Sequence, residues 1–208
     1  HSDEDLLAEG FPEAFLRNPS CIKSAGIIDD VECFDYDFFN IPEEEARLMD
    51  PQHRLFLETC YAAMEDAGHT PESNDSQKMG LFCSVSQNQY LMKKVIPSMQ
   101  NSLAEGANFS SYLSILVGND KDYAALRCAG ILNLRGPVFN VQSACSSALG
   151  GVMMAVRLLR AGDCDSAIVG GCTVPTPIRS CFLHNEGSIF AEDGHCRAYD
   201  KYSNGTVR

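Results

Sequence analysis

Two short apolar runs enclose a helical pattern between residues 138 and 171, and this arrangement restricts the possible folds most strongly. The runs VFNVQ and SAIVGG have the character of strands. Gly162 follows the intervening pattern as its C-cap. A strand, a helix and a second strand in this order predict a mixed α/β layered fold with largely parallel strands. The apolar residues between the runs share one helical face: Leu149, Val152, Met153, Val156 and Leu159.

The same alternation of helix and strand extends upstream. MGLFCSVS, residues 79–86, predicts a buried strand. Before it, Asp50 is a natural N-cap, Pro51 suits the first helical position, and Gly68 ends the helix. Weaker patterns predict short helical pieces within a loop over 1–30, and an aromatic-anchored loop before Pro42 with a short helix after it. Further along, they predict a loop over 87–118 with one helix near Tyr90 to Met99. A last helix is predicted from Asn119 to about Leu132.

Charge and hydropathy exclude several classes of partner. The net charge is -12, and the lysines and arginines are scattered, so a nucleic-acid partner is not expected. No apolar run approaches the roughly 20 residues of a membrane-spanning helix. The first residues, HSDEDLLAEGFPEAF, are acidic and have no apolar core, unlike a signal peptide. These features predict an intracellular, cytoplasmic protein with no membrane role.

The ten cysteines and five histidines do not form a motif of their own. No CxxC pair occurs, which argues against a zinc site or a redox dithiol, and most of the cysteines are expected to be reduced and buried. His53 is expected to face solvent or a dimer partner, and none of the histidines is assigned a catalytic role.

Cys145 is the candidate site residue, because it lies where the strand pattern turns into the helical pattern. A side chain at such a bend is held rigidly beside unpaired backbone N–H groups. The helix dipole favours a thiolate there, and the N–H groups can stabilise an oxyanion. Small neighbours leave room for an acyl chain, and Gly150-Gly151 predicts close packing of the helix. From the pattern alone, a structural and a catalytic role for this thiol both remain open.

The stretch GPVFNVQSACSSALGGVMMAVRLLRAGDCDSAIVGG closely resembles the nucleophile region of β-ketoacyl synthases, in particular the ketosynthase domains of modular polyketide synthases. The resemblance continues, in the family's order, through FDYDFFNIPEEEARLMDPQHRLFLETCYAAMEDAG, GNDKDYAALR and EGSIFAEDGHCRAYDKYSNGTVR. It implies a thiolase-like layered αβαβα fold and a homodimer. It also implies that residues 1–208 are a partial ketosynthase domain, about the first half, without the opening strand and the histidine-bearing second half.

The resemblance further implies that Cys145 carries the growing acyl chain and that its backbone N–H forms half of an oxyanion hole. The acyl group would come from the phosphopantetheine arm of an acyl carrier protein, so no directly bound cofactor and no metal are expected. A malonyl-type extender would then lose CO2 and condense with the acyl thioester, in polyketide or fatty-acid biosynthesis.

Other functions compete with this one. A non-elongating relative that transfers acyl groups or only binds carriers would keep the same cysteine. A redox or metal-binding role is disfavoured by the cysteine spacing, and a hydrolase by the absence of a G-x-S-x-G elbow.

Overall fold

The computed structural model describes residues 1–71, 77–99 and 109–207. The chain forms two compact units. The first unit combines residues 1–29 with residues 175–208, and the second contains Asp30–Val174. That the whole chain is one partial domain stays a prediction.

The first unit is built from short elements around a small apolar core. Its helices are α1 (Asp3–Ala8) and α2 (Glu13–Leu16), which confirms the predicted helical pieces. Strands β1 (Cys21–Ile22) and β5 (Phe182–Leu183) pair antiparallel and were not predicted from the sequence. Two-residue strands carry too little periodicity to be recognised in sequence. The buried core residues are Leu6, Leu16 and Cys181.

The second unit holds the predicted alternation of helices and strands. Its helices are α3 (Glu43–Leu48), α4 (Pro51–Asp66), α5 (Phe109–Asn119), α6 (Ala124–Ile131) and α7 (Ser147–Ala161). Its strands are β2 (Met79–Val85), β3 (Val138–Asn140) and β4 (Ser166–Cys172).

The strands of the second unit form a parallel sheet in the order β3-β2-β4, as the sequence predicts. Leu81, Cys83 and their neighbours on the same face of the sheet pack into the main core with α4 and α6. Phe82 and Val169 face the opposite way, towards Gly151 of α7. The sheet therefore lies between two helical layers.

The helix boundaries follow local capping signals. Asp50 accepts a hydrogen bond from the Gln52 N–H and caps α4, and Pro51 is its first residue. Gly68 after α4 and Gly162 after α7 both have φ of +77°, a left-handed conformation that glycine adopts at little cost. These predicted boundaries are confirmed.

Some predictions for the second unit are wrong. The helix predicted from Asn119 starts later, because Asn119 ends α5 and a 3-10 turn at Lys121–Tyr123 leads into α6. Residues 109–118 were expected to be loop, but they belong to α5. The helix predicted near Tyr90 to Met99 is present and includes a π-helical turn at Leu91–Val95, while residues 100–108 lie outside the described part. Strand β4 was expected to be buried, yet it is mostly half-buried because it lies at one edge of the sheet.

Helix α7 packs on the sheet through small residues. Ser147, Gly151 and Ala155 are its buried positions. Its large apolar side chains lie on the opposite, exposed face, where Leu149 is 73% exposed. Among the described residues, Ala144–Ala161 is also the one stretch whose length and mean hydropathy would permit a membrane span. This is weak evidence, because an apolar helix of a soluble protein can meet the same criteria.

Candidate active site

Cys145 lies at the predicted bend between β3 and α7. The chain leaves the sheet after Val141, whose N–H donates to the Cys83 carbonyl at 2.7 Å. Ala144 then has φ of +52°, and the 3-10 turn Ala144–Ser146 leads directly into α7. A positive φ at a residue with a side chain costs about 1–2 kcal/mol, and such conformations cluster at functional sites. The bend that the sequence predicts is confirmed.

Ser147 braces this bend from inside the protein. Its hydroxyl accepts a hydrogen bond from the Ser143 N–H at 2.8 Å and donates one to the Ala144 carbonyl at 2.7 Å. Ser147 is 7% exposed, whereas Cys145 is exposed. In the sequence, Ser147 is one of the small neighbours of Cys145, although a serine in the first turn of a helix often bonds the local backbone.

The glycines beneath the bend explain how α7 approaches the sheet. A Cβ on Gly151 would lie 2.9 Å from the Val169 Cγ1, closer than normal atomic contact. A Cβ on Gly150 would meet only ordinary contacts at 3.5 Å, to Ser143 and Val141. Close packing, predicted for both glycines, is therefore required at Gly151 alone.

The thiol of Cys145 opens into a cavity of about 1220 Å³ at the carboxyl ends of the strands. This is the edge at which parallel α/β sheets generally bind ligands. The ends of β2 and β4 line it, together with Gln142, Ala144 and Ala148 around the bend. Its apolar wall comes from the helical segment after β2 and from α5: Leu91, Ile96, Met99, Tyr112, Ile115 and Leu116.

The remaining cysteines occupy different environments. All ten are free thiols, and five are buried, so the expectation that most are buried holds for only half of them. Burial raises the pKa of Cys83, and a hydrogen bond with Cys60 together with burial raises the pKa of Cys128. Burial also raises the pKa of Cys172, at the end of β4, to about 11. Besides Cys145, only Cys33 and Cys196 are exposed.

His53 is not at the surface, so its predicted contact with solvent is wrong. It is 3% exposed within α4, and neither ring nitrogen has a hydrogen-bond partner. Burial, with a smaller contribution from Arg127, lowers its pKa to about 4. Its position on α4 directs the ring into the core, although a polar side chain is expected at the surface.

Within the described residues, no histidine lines the cavity that contains Cys145. Nor, across the same described ranges, do three or more His, Cys, Asp or Glu side chains come together as metal ligands. The described part of the site therefore offers an exposed thiol at a helix start, backbone N–H groups and an apolar wall. This combination can accept an acyl group from an activated donor.

Comparison with known proteins agrees with this chemistry. Residues 5–208 match the family model described as β-ketoacyl synthase, N-terminal domain. The chain is 38% identical over 208 residues to one of the phenolphthiocerol/phthiocerol polyketide synthase proteins of Mycobacterium tuberculosis, covering 99% of this chain and 14% of that protein. It is 37% identical over 185 residues to polyketide synthase PksL of Bacillus subtilis, covering 89% of this chain and 4% of that protein.

A solved structure matches as well. Ketosynthase twelve from the bacillaene polyketide synthase of Bacillus amyloliquefaciens is 31% identical and superposes with a TM-score of 0.79. The match covers 100% of this chain and 35% of that one. The present chain thus spans a small part of the length of these curated relatives and about a third of the length of this solved chain.

Proposed function

This chain belongs to the β-ketoacyl synthase family, and we propose that Cys145 is the nucleophile through which it accepts an acyl group from a thioester. The observation that carries the proposal is the exposed thiol at a strained bend, directly before α7 and open to a cavity with an apolar wall. A thiol suits thioester donors, because exchange of one thioester for another conserves the activation of the acyl group.

The transfer step uses groups at the bend. The Cys145 thiolate attacks the carbonyl carbon of the donor thioester, and the carbonyl oxygen becomes an oxyanion. The backbone N–H of Cys145 is one donor for this oxyanion, since N–H groups at a helix start have no partner within the helix. The intermediate then expels the donor thiolate, which takes up a proton. The acyl group remains on Sγ of Cys145.

The donor in this proposal is the phosphopantetheine arm of an acyl carrier protein. The polyketide synthase relatives support this assignment. In the second step, a malonyl-type extender on a carrier protein loses CO2. Its carbanion attacks the Cys145 thioester, forms a carbon–carbon bond and releases the cysteine thiolate. We extend the proposal to a homodimer, on the resemblance to the family, and to a cytoplasmic location.

A non-elongating, transacylating relative would perform only the first step. Both versions need Cys145, and they differ in whether a β-ketoacyl product forms from a malonyl-type extender. Product analysis of the full-length protein with acyl and malonyl thioesters separates them. A β-ketoacyl product supports condensation, whereas acylation of Cys145 with no such product supports transfer alone.

The first step is tested by incubating the full-length protein with a short acyl thioester of a pantetheine mimic and mapping the added mass by peptide mass spectrometry. We expect acylation at Cys145. Cys33 and Cys196 serve as internal controls, because they are also exposed. Equal labelling of the exposed cysteines would indicate non-specific exchange, and no label at Cys145 in folded protein would refute the proposal.

A further inference from the structure

Helix α4 begins with two buried polar side chains that are paired with each other. Asp50 is 2% exposed and Gln52 is 1% exposed. One Asp50 oxygen accepts the backbone N–H of Gln52 at 2.9 Å, and the other accepts the side-chain Nε2 at 3.0 Å. Because a carboxylate can only accept, this contact turns the NH2 end of the Gln52 amide towards Asp50. The same Nε2 also donates to the Ser86 carbonyl at 3.4 Å, and the amide oxygen faces the Ser86 N–H and hydroxyl.

That oxygen bonds the chain immediately after β2. Gln52 Oε1 accepts the Ser86 N–H at 3.0 Å and the Ser86 hydroxyl at 2.7 Å. The Ser86 N–H also lies 3.2 Å from the Cys172 carbonyl, at the end of β4. A single buried side chain thus attaches α4 to the point where two strands of the sheet end. Ser86 and Cys172 both line the cavity that contains Cys145.

The bend holds the same strand end from its other side. Gln142 Nε2 donates to the Val85 carbonyl at 3.3 Å, and the Val141 N–H donates to the Cys83 carbonyl. Val85 is the last residue of β2 and precedes Ser86. The strand end that Gln52 holds is therefore also hydrogen-bonded to Val141 and Gln142, which lead into Cys145.

We propose that Gln52 is a positioning residue for Cys145, holding the carboxyl end of β2 and, through Gln142, the bend that presents the thiol. The role rests on the proposed function, because it concerns the same nucleophile. Gln52 does not line the cavity and touches no reacting atom. An apolar side chain in its place would leave the Asp50 carboxylate and the Ser86 hydroxyl without these partners, which is costly inside a protein.

The test compares Gln52→Leu, Gln52→Glu and a combined exchange, Asp50→Asn with Gln52→Glu, in the full-length protein. Gln52→Glu places two carboxyl groups against each other. The combined exchange restores one donor and one acceptor between positions 50 and 52 with the charge count unchanged, and it loses only the longer bond from Nε2 to the Ser86 carbonyl. Gln89→Glu is the matched control, because Gln89 bonds the exposed Lys93 and does not line the cavity.

The readout is the rate at which iodoacetamide alkylates Cys145, divided by the rate at Cys196, both followed by peptide mass spectrometry. We expect both single variants at Gln52 to lower this ratio about tenfold, since small displacements of reacting groups cost large factors in rate. The combined exchange should return the ratio to within about twofold of the original protein. Gln89→Glu should leave it unchanged.

An unchanged ratio in both single variants, or no recovery in the combined exchange, would overturn the proposal. So would alkylation of the buried Cys83 in the variants, because it would show general loosening of the core. The same proteins are then treated with the acyl thioester. If the original protein is not acylated while the alkylation ratios behave as expected, the proposed acyl transfer is wrong and the positioning role stands.

Discussion

Cys60, Cys83 and Cys128 form a buried thiol cluster in the main core, whereas Cys145 lies exposed at the carboxyl edge of the same sheet. The members of the cluster are 1–3% exposed. Burial raises the pKa of Cys83, so a thiolate is disfavoured there. At the bend, the thiol meets the start of a helix and an open cavity. The comparison teaches that position in the fold, and not the side chain itself, separates an exposed candidate nucleophile from a buried packing residue.

The largest expected effect comes from replacing one cysteine in each of these two regions with alanine. Cys145→Ala should abolish acylation by the pantetheine thioester, while the free energy of unfolding changes by less than about 0.5 kcal/mol because the side chain is exposed. Cys83→Ala should lower the free energy of unfolding by about 1–2 kcal/mol, through lost packing and a cavity, and leave acylation intact. Peptide mass spectrometry and urea denaturation measure both. Acylation that survives in Cys145→Ala would break the comparison.

A second effect concerns the response of the core to acid. The pKa of His53 falls from 6.5 to about 4 on folding, because the ring is buried. The unfolded chain therefore binds a proton below pH 6.5 that the folded protein does not take up until about pH 4. The contribution of His53 to the free energy of unfolding is therefore greatest above pH 6.5. It decreases by up to about 3 kcal/mol as the pH falls from 6.5 to 4.

The control for this effect is His53→Gln, which removes the titrating group. Urea denaturation at several pH values should show that the difference in stability between this variant and the original protein shifts in the variant's favour as the pH falls from 6.5 to 4. A difference that is constant with pH would contradict the buried, neutral state of His53.

The smallest effect compares two helical glycines, Gly151 beneath the bend and Gly130 on the exposed side of α6. Gly151→Ala should lower the free energy of unfolding by about 1–2 kcal/mol, because the added methyl group meets Val169 at 2.9 Å. Gly130→Ala in α6 is the matched control, since nothing lies within 4 Å of its Cβ position. It should raise the stability by about 0.5–1 kcal/mol. Thermal denaturation measures both, and equal effects would show that α7 does not need this close approach.

Several features could be predicted from local patterns. The cap at Asp50, the stop at Gly162, the strand at residues 79–85 and the bend at Cys145 all depend on near neighbours in sequence. The thiolase-like fold came from the family resemblance, and the ketosynthase structures confirm it. Helix α5 was missed because it has no distinctive local signal. The brace at Ser147 was missed as well, although a serine in the first turn of a helix often bonds the local backbone.

The sequence by itself determined where α4, α7 and the strands of the parallel sheet lie, and that a cysteine stands at the bend. Caps, turn residues and periodic patterns act over a few neighbouring residues, so these outcomes need no distant contact. Tertiary structure alone decided that His53 is buried, that α7 meets the sheet through Gly151, and that Gln52 reaches Ser86. Burial and cross-element hydrogen bonds depend on residues far apart in the chain, and only folding brings those residues together.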